Sequence, residues 1–472
     1  MLEAAGSTWA IEEFGCADLG DARRTTRVVA MAARLSERPA GKVSVAFPTC
    51  AERQGAYGFL GNEQILVESL VDGAGDACAR RSASESFVFV PVDGTSATFA
   101  DTHGAKGFGV IGTYRAGARG LKVLSAIAVE RTGAPLGLSA QRLWMRSSEL
   151  PNRRSHVMRR VHEKETQHWI DVIRATSARF EEEAPKTRCW FQLDREADAW
   201  PILQTLTDLP SQWFTVRASW NRRVRRARKL GKLREVVARE PVLGGAVLDV
   251  TAGPKRRARW AHLSVRVARV VLDIRDPRTK RRWPLELNVV WAHEIGTTPR
   301  GEAPLDWLLL TNHPVESLSD AQLVLEGYAM RWRIEDVHKT WKSSACNVED
   351  SQLHTQSAVA KWAVLLFSVA VRIERLKHLA RSNPDQPVSV ELSAYEIRAL
   401  LLLKRKEKKR TERIPDTTPT ISQAVRWIAD LGGYTGKSSG GPPGSITIRR
   451  GLDRVTAGAE VLQALDKGSA EM

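Results

Sequence analysis

Three carboxylates stand where metal chemistry could use them. Asp93 follows the apolar run Phe87-Val88-Phe89-Val90-Pro91-Val92, and Asp194 follows Trp190-Phe191-Gln192-Leu193. A carboxylate at the end of an otherwise buried strand is costly unless it is paired, hydrogen-bonded or on a metal. The plain alternative for either residue alone is an Asp that caps the turn after its strand. Glu335 lies between Tyr328 and Lys342, in the pattern Tyr328-x2-Arg331-x3-Glu335-x6-Lys342. With Tyr328 at 0° on an ideal helix, Arg331, Glu335 and Lys342 fall at about 300°, 340° and 320°. Met330, Ile334, Val337 and Trp341 fall opposite, at about 180–240°. One face can pack while the other presents a phenol, a guanidinium, a carboxylate and an ammonium. A solvated ion-pair face would explain the charges but not the tyrosine. In a metal site Glu335 would hold the ion while Arg331 and Lys342 grip phosphate oxygens. Hard oxygen ligands favour Mg²⁺, with Mn²⁺ as the substitute, over zinc. Two such ions about 3.5–4 Å apart can activate a nucleophile and stabilise the leaving oxygen of an in-line displacement.

The chain that must position these groups has 472 residues, enough for several domains, and a net charge of +17. So positive a surface favours polyanions, through steering and counterion release, which makes nucleic-acid phosphate the natural substrate of the metal. Cys16, Cys50, Cys78, Cys189 and Cys346 are odd in number and scattered, with no CxxC pair. Neither a disulfide framework nor a zinc site is expected, and a reducing cytoplasm fits. His156, His162 and His168 are spaced by six and form no HxxxH pair; His338 falls beside the functional stripe as a weak DNA-contact candidate. Glu3, Glu12 and Glu13 argue against a signal peptide, and Trp362–Val371 is too short to span a bilayer, so no membrane is expected.

Periodicity then divides the chain. The first seventy or so residues read as helical, with Asp21 before a helix whose Arg23, Arg27, Arg34 and Arg38 share one stripe, away from Val28, Ala32 and Leu35. That stripe is either solvated or laid along DNA phosphates. Strands are expected at Phe87–Val92, Gly120–Val129 and Pro135–Trp144, a helix at His156–Glu183, and a strand at Trp190–Leu193. A helix near Ala197–Leu206 and a strand at Trp213–Val216 come next, an order that implies an α/β layer with a mixed sheet. From residue 218 to about 285 the layer is interrupted by a β-rich insertion. Its loops carry Arg222, Arg223, Arg225, Arg226, Arg228 and Lys229, then Lys255, Arg256, Arg257 and Arg259, then Lys280, Arg281 and Arg282. Strands at Leu287–Trp291 and Trp307–Thr311 resume the layer. One helix from about Leu318 to Ser344 and another from Ser357 to Leu379 complete it. A linker at 382–387 leads to a helical tail broken by the charge run Lys404–Arg413 and by Gly440-Gly441-Pro442-Pro443-Gly444.

Taken together, these segments resemble the bacterial DDE transposases of the insertion-sequence family that includes the transposase of transposon five. Tyr328, Arg331, Glu335 and Lys342 match the YREK signature of that family. Val92-Asp93-Gly94-Thr95-Ser96 and Asp194-Arg195-Glu196-Ala197-Asp198 match its two Asp motifs. Leu19–Thr25 and Gly301–Thr311 also look like family segments. Gly94 and Asn312-His313-Pro314 depart from the close relative's pattern. The resemblance implies an RNase H-like core at 71–380 with the β-rich insertion at about 218–285. It also implies an N-terminal helical DNA-binding domain at 1–70 and a C-terminal helical dimerisation region at 381–472. It implies Mg²⁺-dependent cut-and-paste transposition by a homodimer on double-stranded transposon ends and target DNA, in the cytoplasm with the nucleoid. Asp93, Asp194 and Glu335 would bind two metal ions; Tyr328, Arg331 and Lys342 would hold DNA near the scissile phosphate. Trp307 would stack on a flipped base, and Arg217, Arg23, Arg24 and Arg27 would touch DNA. An RNase H-fold nuclease that cuts without joining, and a non-catalytic DNA-binding descendant, are the alternatives.

Overall fold

The computed structural model describes residues 8–101, 106–112, 117–146, 159–226, 229–250, 256–407, 414, 416–436 and 442–470. His156, Arg228, Lys255, Gly440, Gly441 and part of the Lys404–Arg413 run lie outside them. The chain forms two compact units: Met1–Ser84 with Gly94–Ser148 and Arg333–Met472, and Glu85–Asp93 with Glu149–Trp332.

The second unit is built on a sheet. Its centre is the first half of β1 (Phe87–Thr98), then β5 (Arg188–Leu193) and β6 (Trp213–Arg217), all parallel. Val88, Phe89, Val90, Val92, Trp190, Phe191 and Leu193 are fully buried, as expected for strands covered on both faces. β12 (Asp306–Thr311) joins β6 antiparallel, and β11 (Arg282–Glu294) and β10 (Arg259–Arg275) come after it. The expected insertion therefore consists of strands that widen this sheet. β7 (Arg223–Arg226) pairs β10 and β8 (Lys229–Lys232), and β9 (Gly244–Val250) pairs the other end of β10. A helix, α6 (Thr166–Glu183), packs on β5. It begins ten residues after the expected His156, since Val161–Glu163 forms a separate 3-10 turn. The residues that depart from the family pattern make joints here. Asn312 accepts from Phe214 N–H at 2.8 Å, and the His313 ring stacks on Trp190 at 4.3 Å. Burial lowers the pKa of His313 and keeps it neutral.

The first unit is helical around the second half of β1, which pairs with β3 (Arg119–Val129), and around β2 (Gly109–Val110) and β4 (Pro135–Trp144), both antiparallel to β3. Its N-terminal helices are α1 (Thr8–Phe14), α2 (Ala22–Glu37), α3 (Val43–Ala46), α4 (Cys50–Leu60) and α5 (Val67–Ser82). Gly20, at φ +72°, makes the turn that L side chains resist, and Asp21 then caps α2 by accepting from Arg23 N–H at 2.8 Å. The long helix α11 (Gln356–Ser382) is apolar enough for a membrane span by composition, yet its apolar window is 89% buried inside the protein. It organises the unit instead. Its buried Lys361 donates to the carbonyls of Leu60 (3.1 Å) and Asn62 (2.6 Å), and Trp362 donates to Gly41 O at 2.8 Å.

The structure refines two expectations in this unit. The α2 stripe is not a uniform cationic face. Arg23, Arg27 and Arg38 are exposed, but Arg34 is held by Glu37, Glu52 and Glu460 at 3.1, 3.5 and 2.6 Å. His338 is a core residue, edge-on to Phe367 at 5.9 Å; burial first, and Lys342 second, depress its pKa to about 3.

Candidate active site

The register of the three parallel strands brings the site together. Val92 pairs with Leu193, and Leu193 with Val216. The next residue on each strand is Asp93, Asp194 and Arg217. They occupy one rung at the carboxyl ends of β5 and β6 and midway along β1, where its parallel pairing stops and such sheets place ligands. Neighbouring strands lie about 4.8 Å apart, and residues on one rung face the same side. Two carboxylates are thus set side by side with a guanidinium on the third strand. Asp194 extends the chain into a 3-10 turn and accepts Glu196 N–H on Oδ1 at 2.8 Å. The strand-end cap and the metal-ligand readings of Asp194 are therefore compatible, because Oδ2 takes no part in the cap.

Tyr328 and Arg331 reach this rung from above. They do not ride on one continuous helix with Glu335 and Lys342, as periodicity suggests. α9 (Leu318–Met330) ends where Arg331 N–H turns back to Tyr328 O at 3.2 Å, an i→i−3 bond. α10 (Trp332–Lys339) then runs into a π turn over Thr340–Ser344, with Ala345 and Cys346 N–H both on Thr340 O at 3.1 Å. A π turn adds a residue and rotates the downstream side chains, Lys342 included, off the 3.6-residue period. Lys342 pairs with Glu349 at 3.5 Å.

Tyr328 is buried, not presented. Burial raises its pKa against the pull of the Arg331 and Arg217 guanidiniums, and Arg217 hydrogen-bonds its hydroxyl. Arg331 Nη1 lies 3.7 Å from Asp93 Oδ2, both side chains largely buried. Trp307 is 3% exposed, edge-on to Tyr328 at 4.8 Å and to Trp332 at 5.9 Å. A flipped base can reach it only where one of those rings gives way. Trp332 is the half-buried one, and Arg256 covers it at 4.6 Å.

Sequence reasoning missed Asp306. Its backbone carbonyl accepts Arg217 Nη2 at 3.0 Å, and its carboxylate accepts Trp291 Nε1 and Arg234 Nη2, each at 2.7 Å. Burial would raise its pKa, but the bonds from Arg234 and Trp291 outweigh this and lower it. Its position beside Trp307 in the Gly301–Thr311 segment was the available signal. Glu302 in that segment clamps the insertion, accepting Arg257 N–H at 2.8 Å and Arg259 Nη1 at 2.7 Å.

Gly327 sets the height of α9 over the strands. A Cβ there would sit 2.5 Å from Phe89 Cε1 and 2.9 Å from Gln192 Nε2. Gly327→Ala is therefore expected to destabilise the protein by about 1–3 kcal/mol through overpacking. Cleavage should also slow, since Tyr328 and Arg331 move with the displaced helix. Thermal melting checks this, and an unchanged midpoint would mean that α9 has room to spare.

Glu335 belongs to the first unit and is exposed. Next to it, Asp336, Glu374 and His378 bring ligand atoms within 4.8 Å of one another. No member of the expected triad is in that cluster. Glu374 is already satisfied by Lys377 Nζ at 2.7 and 2.8 Å and by Ser445 Oγ at 2.8 Å, so an ammonium supplies the positive charge there. The Asp93–Asp194 pair fits a divalent ion better, because its donors are carboxylate oxygens set on neighbouring strands. Of the N-terminal arginines, Arg23 is exposed and paired with Asp21 at 2.9 Å, Arg27 is exposed, and Arg24 is half-buried with Nη1 on Leu19 O at 3.0 Å.

Comparison with known families gives three matches. Residues 6–65 match the transposase DNA-binding family, residues 106–372 the transposase DDE domain, and residues 368–465 the transposase Tn5 dimerisation domain. The DDE match alone spans more than half of the chain.

Proposed function

Since the chain belongs to the DDE transposase family, we propose that it moves DNA by Mg²⁺-dependent cut-and-paste transposition. It is a DNA transposase that uses a divalent metal, binds DNA and forms homodimers. In the proposed sequence water nicks each transposon end, and the freed 3′-OH attacks the opposite strand to form a hairpin. Water then opens the hairpin, and the 3′ ends join target DNA. The observation that carries this reading is the shared rung of Asp93, Asp194 and Arg217 beneath Arg331 and Tyr328.

Asp93, Asp194 and Glu335 would hold two metal ions, with Mn²⁺ as the substitute. When bound, the metal supplies an activated attacking oxygen and charge stabilisation of the leaving one. Arg331 and Lys342 would grip phosphate oxygens. Arg217 would fix the Tyr328 hydroxyl at the backbone beside the scissile phosphate. Trp307 would stack on a flipped base, with Trp332 as the ring displaced. Arg23, Arg24 and Arg27 would track the backbone of the transposon end. Domains at 1–70, 71–380 and 381–472 and a cytoplasmic, nucleoid-associated setting complete the proposal; its five free thiols suit that setting.

The test is a strand-transfer assay with purified protein, its flanking inverted repeats and a supercoiled target in Mg²⁺. Excised ends joined to target are expected. Cutting without joining would favour a nuclease, and end binding without cutting a DNA-binding descendant; either would overturn the proposal.

A further inference from the structure

The second unit carries an aromatic, cationic cleft that the active site does not use. It has a volume of about 660 Å³ and lies between β7 and the turn that joins β10 to β11. Trp220 stands on one side, 65% exposed, on a loop pinned by Asp198, which accepts Ser219 N–H at 2.7 Å and Trp220 N–H at 3.2 Å. Trp200 stands on another side and stacks on Trp283 with centroids 5.5 Å apart and planes at 6°. Arg281 caps the pair, 5.1 Å from the Trp283 ring.

The charges are unequal. Both acids lining the cleft are matched: Asp198 by Arg222, and Asp273 by Arg282 at 2.5 Å. Arg223, Arg225 and Arg275 also line it, and among the described residues they have no ion-pair partner. A second cleft, of about 440 Å³, shares Trp200 and Pro277 with the first and is lined by Arg159, Arg160, Lys164 and Arg278. The cationic track thus continues past the indole.

We propose that this cleft binds a single strand of DNA, its bases on Trp220 and the Trp200–Trp283 pair and its phosphates on Arg223, Arg225 and Arg275. Flat π surfaces beside surplus guanidinium are what an unpaired strand requires, and they tolerate any sequence. An acidic peptide would satisfy the arginines but leave the indoles without planar partners. A space of a few hundred cubic ångströms suits one strand rather than a duplex. Asp198 ends the short turn that Asp194 begins, so the cleft adjoins the proposed metal site and would take DNA left unpaired there. The inference rests on the transposase reading only for this last step.

The test is fluorescence anisotropy with full-length protein, without divalent metal, using a labelled oligothymidine, its abasic counterpart and a transposon-end duplex. Trp220→Ala, at an exposed position, is expected to weaken oligothymidine binding about tenfold, from the loss of base stacking. It should leave abasic and duplex binding unchanged. Arg223→Ala with Arg225→Ala should reduce the slope of log K against log salt by about 1.4, the value for two phosphate contacts on a single strand. Equal oligothymidine affinity for wild type and Trp220→Ala, or equal losses on the normal and abasic strands, would overturn the inference. Because no metal or cleavage enters the measurement, its failure is distinct from a failure of strand transfer.

Discussion

Asp194→Ala is expected to abolish metal-dependent cleavage of transposon ends while leaving their specific binding in a gel shift unchanged. The loss should exceed the roughly 10²–10³-fold that removing one preorganised electrostatic contact costs. Asp194 stands between Asp93 and Arg217 on the rung, so its removal takes away the central oxygen donor of the set. Residues 6–65, which match the transposase DNA-binding family, belong to the other unit. The alanine also removes the cap on Glu196 N–H, a loss of about 1 kcal/mol of stability. Asp194→Asn separates the two effects, because an amide oxygen keeps the cap but brings no charge. It should fold like wild type and still fail to cut. If the asparagine variant cleaved at near the wild-type rate, the metal assignment of Asp194 would be wrong and the cap would be its whole role.

Much of this architecture is legible in the chain. The apolar run before Asp194 ends in an acid because the strand ends there, whereas β1 runs on past Asp93 to Thr98; the alternation of strand and helix points to a mixed α/β layer. The rung is not legible. That Asp93, Asp194 and Arg217 align depends on which strands pair and in what register, a non-local choice fixed by packing. Periodicity divides the Tyr328–Lys342 stripe into one packed and one polar side, and Ile334, Val337 and Trp341 are indeed fully buried. It also makes the stripe continuous, which it is not, because an ideal period has no means of representing the break at Arg331 or the π turn at Thr340. Tyr328 falls on the polar face by period and is buried in the fold. A phenol can do both when a guanidinium such as Arg217 meets its hydroxyl. Arg34 shows the limit of reading one helix alone: its partner Glu460 is 426 residues away in sequence.

Arg331→Ala is expected to split two quantities that usually move together. In the protein without metal the Arg331 guanidinium lies 3.7 Å from Asp93, where a divalent cation would also be attracted. Like charges in so small a space oppose one another, so removing Arg331 should lower the Mg²⁺ concentration needed for half-maximal cleavage and tighten Mg²⁺ binding measured by calorimetry. The proposed second role of Arg331 is a grip on phosphate, and its loss should lower the maximal rate by about 10²–10³-fold. Arg331→Lys keeps the charge but not the two-pronged fork, so it should keep the wild-type Mg²⁺ requirement and recover only part of the rate. A purely structural arginine would behave otherwise: its removal would lower the melting temperature, with rate and metal requirement worsening together. A raised Mg²⁺ requirement in Arg331→Ala would thus place the arginine among the supports of the metal site. A lowered requirement with a depressed rate would make it a phosphate ligand held in place by Asp93 until the metal arrives.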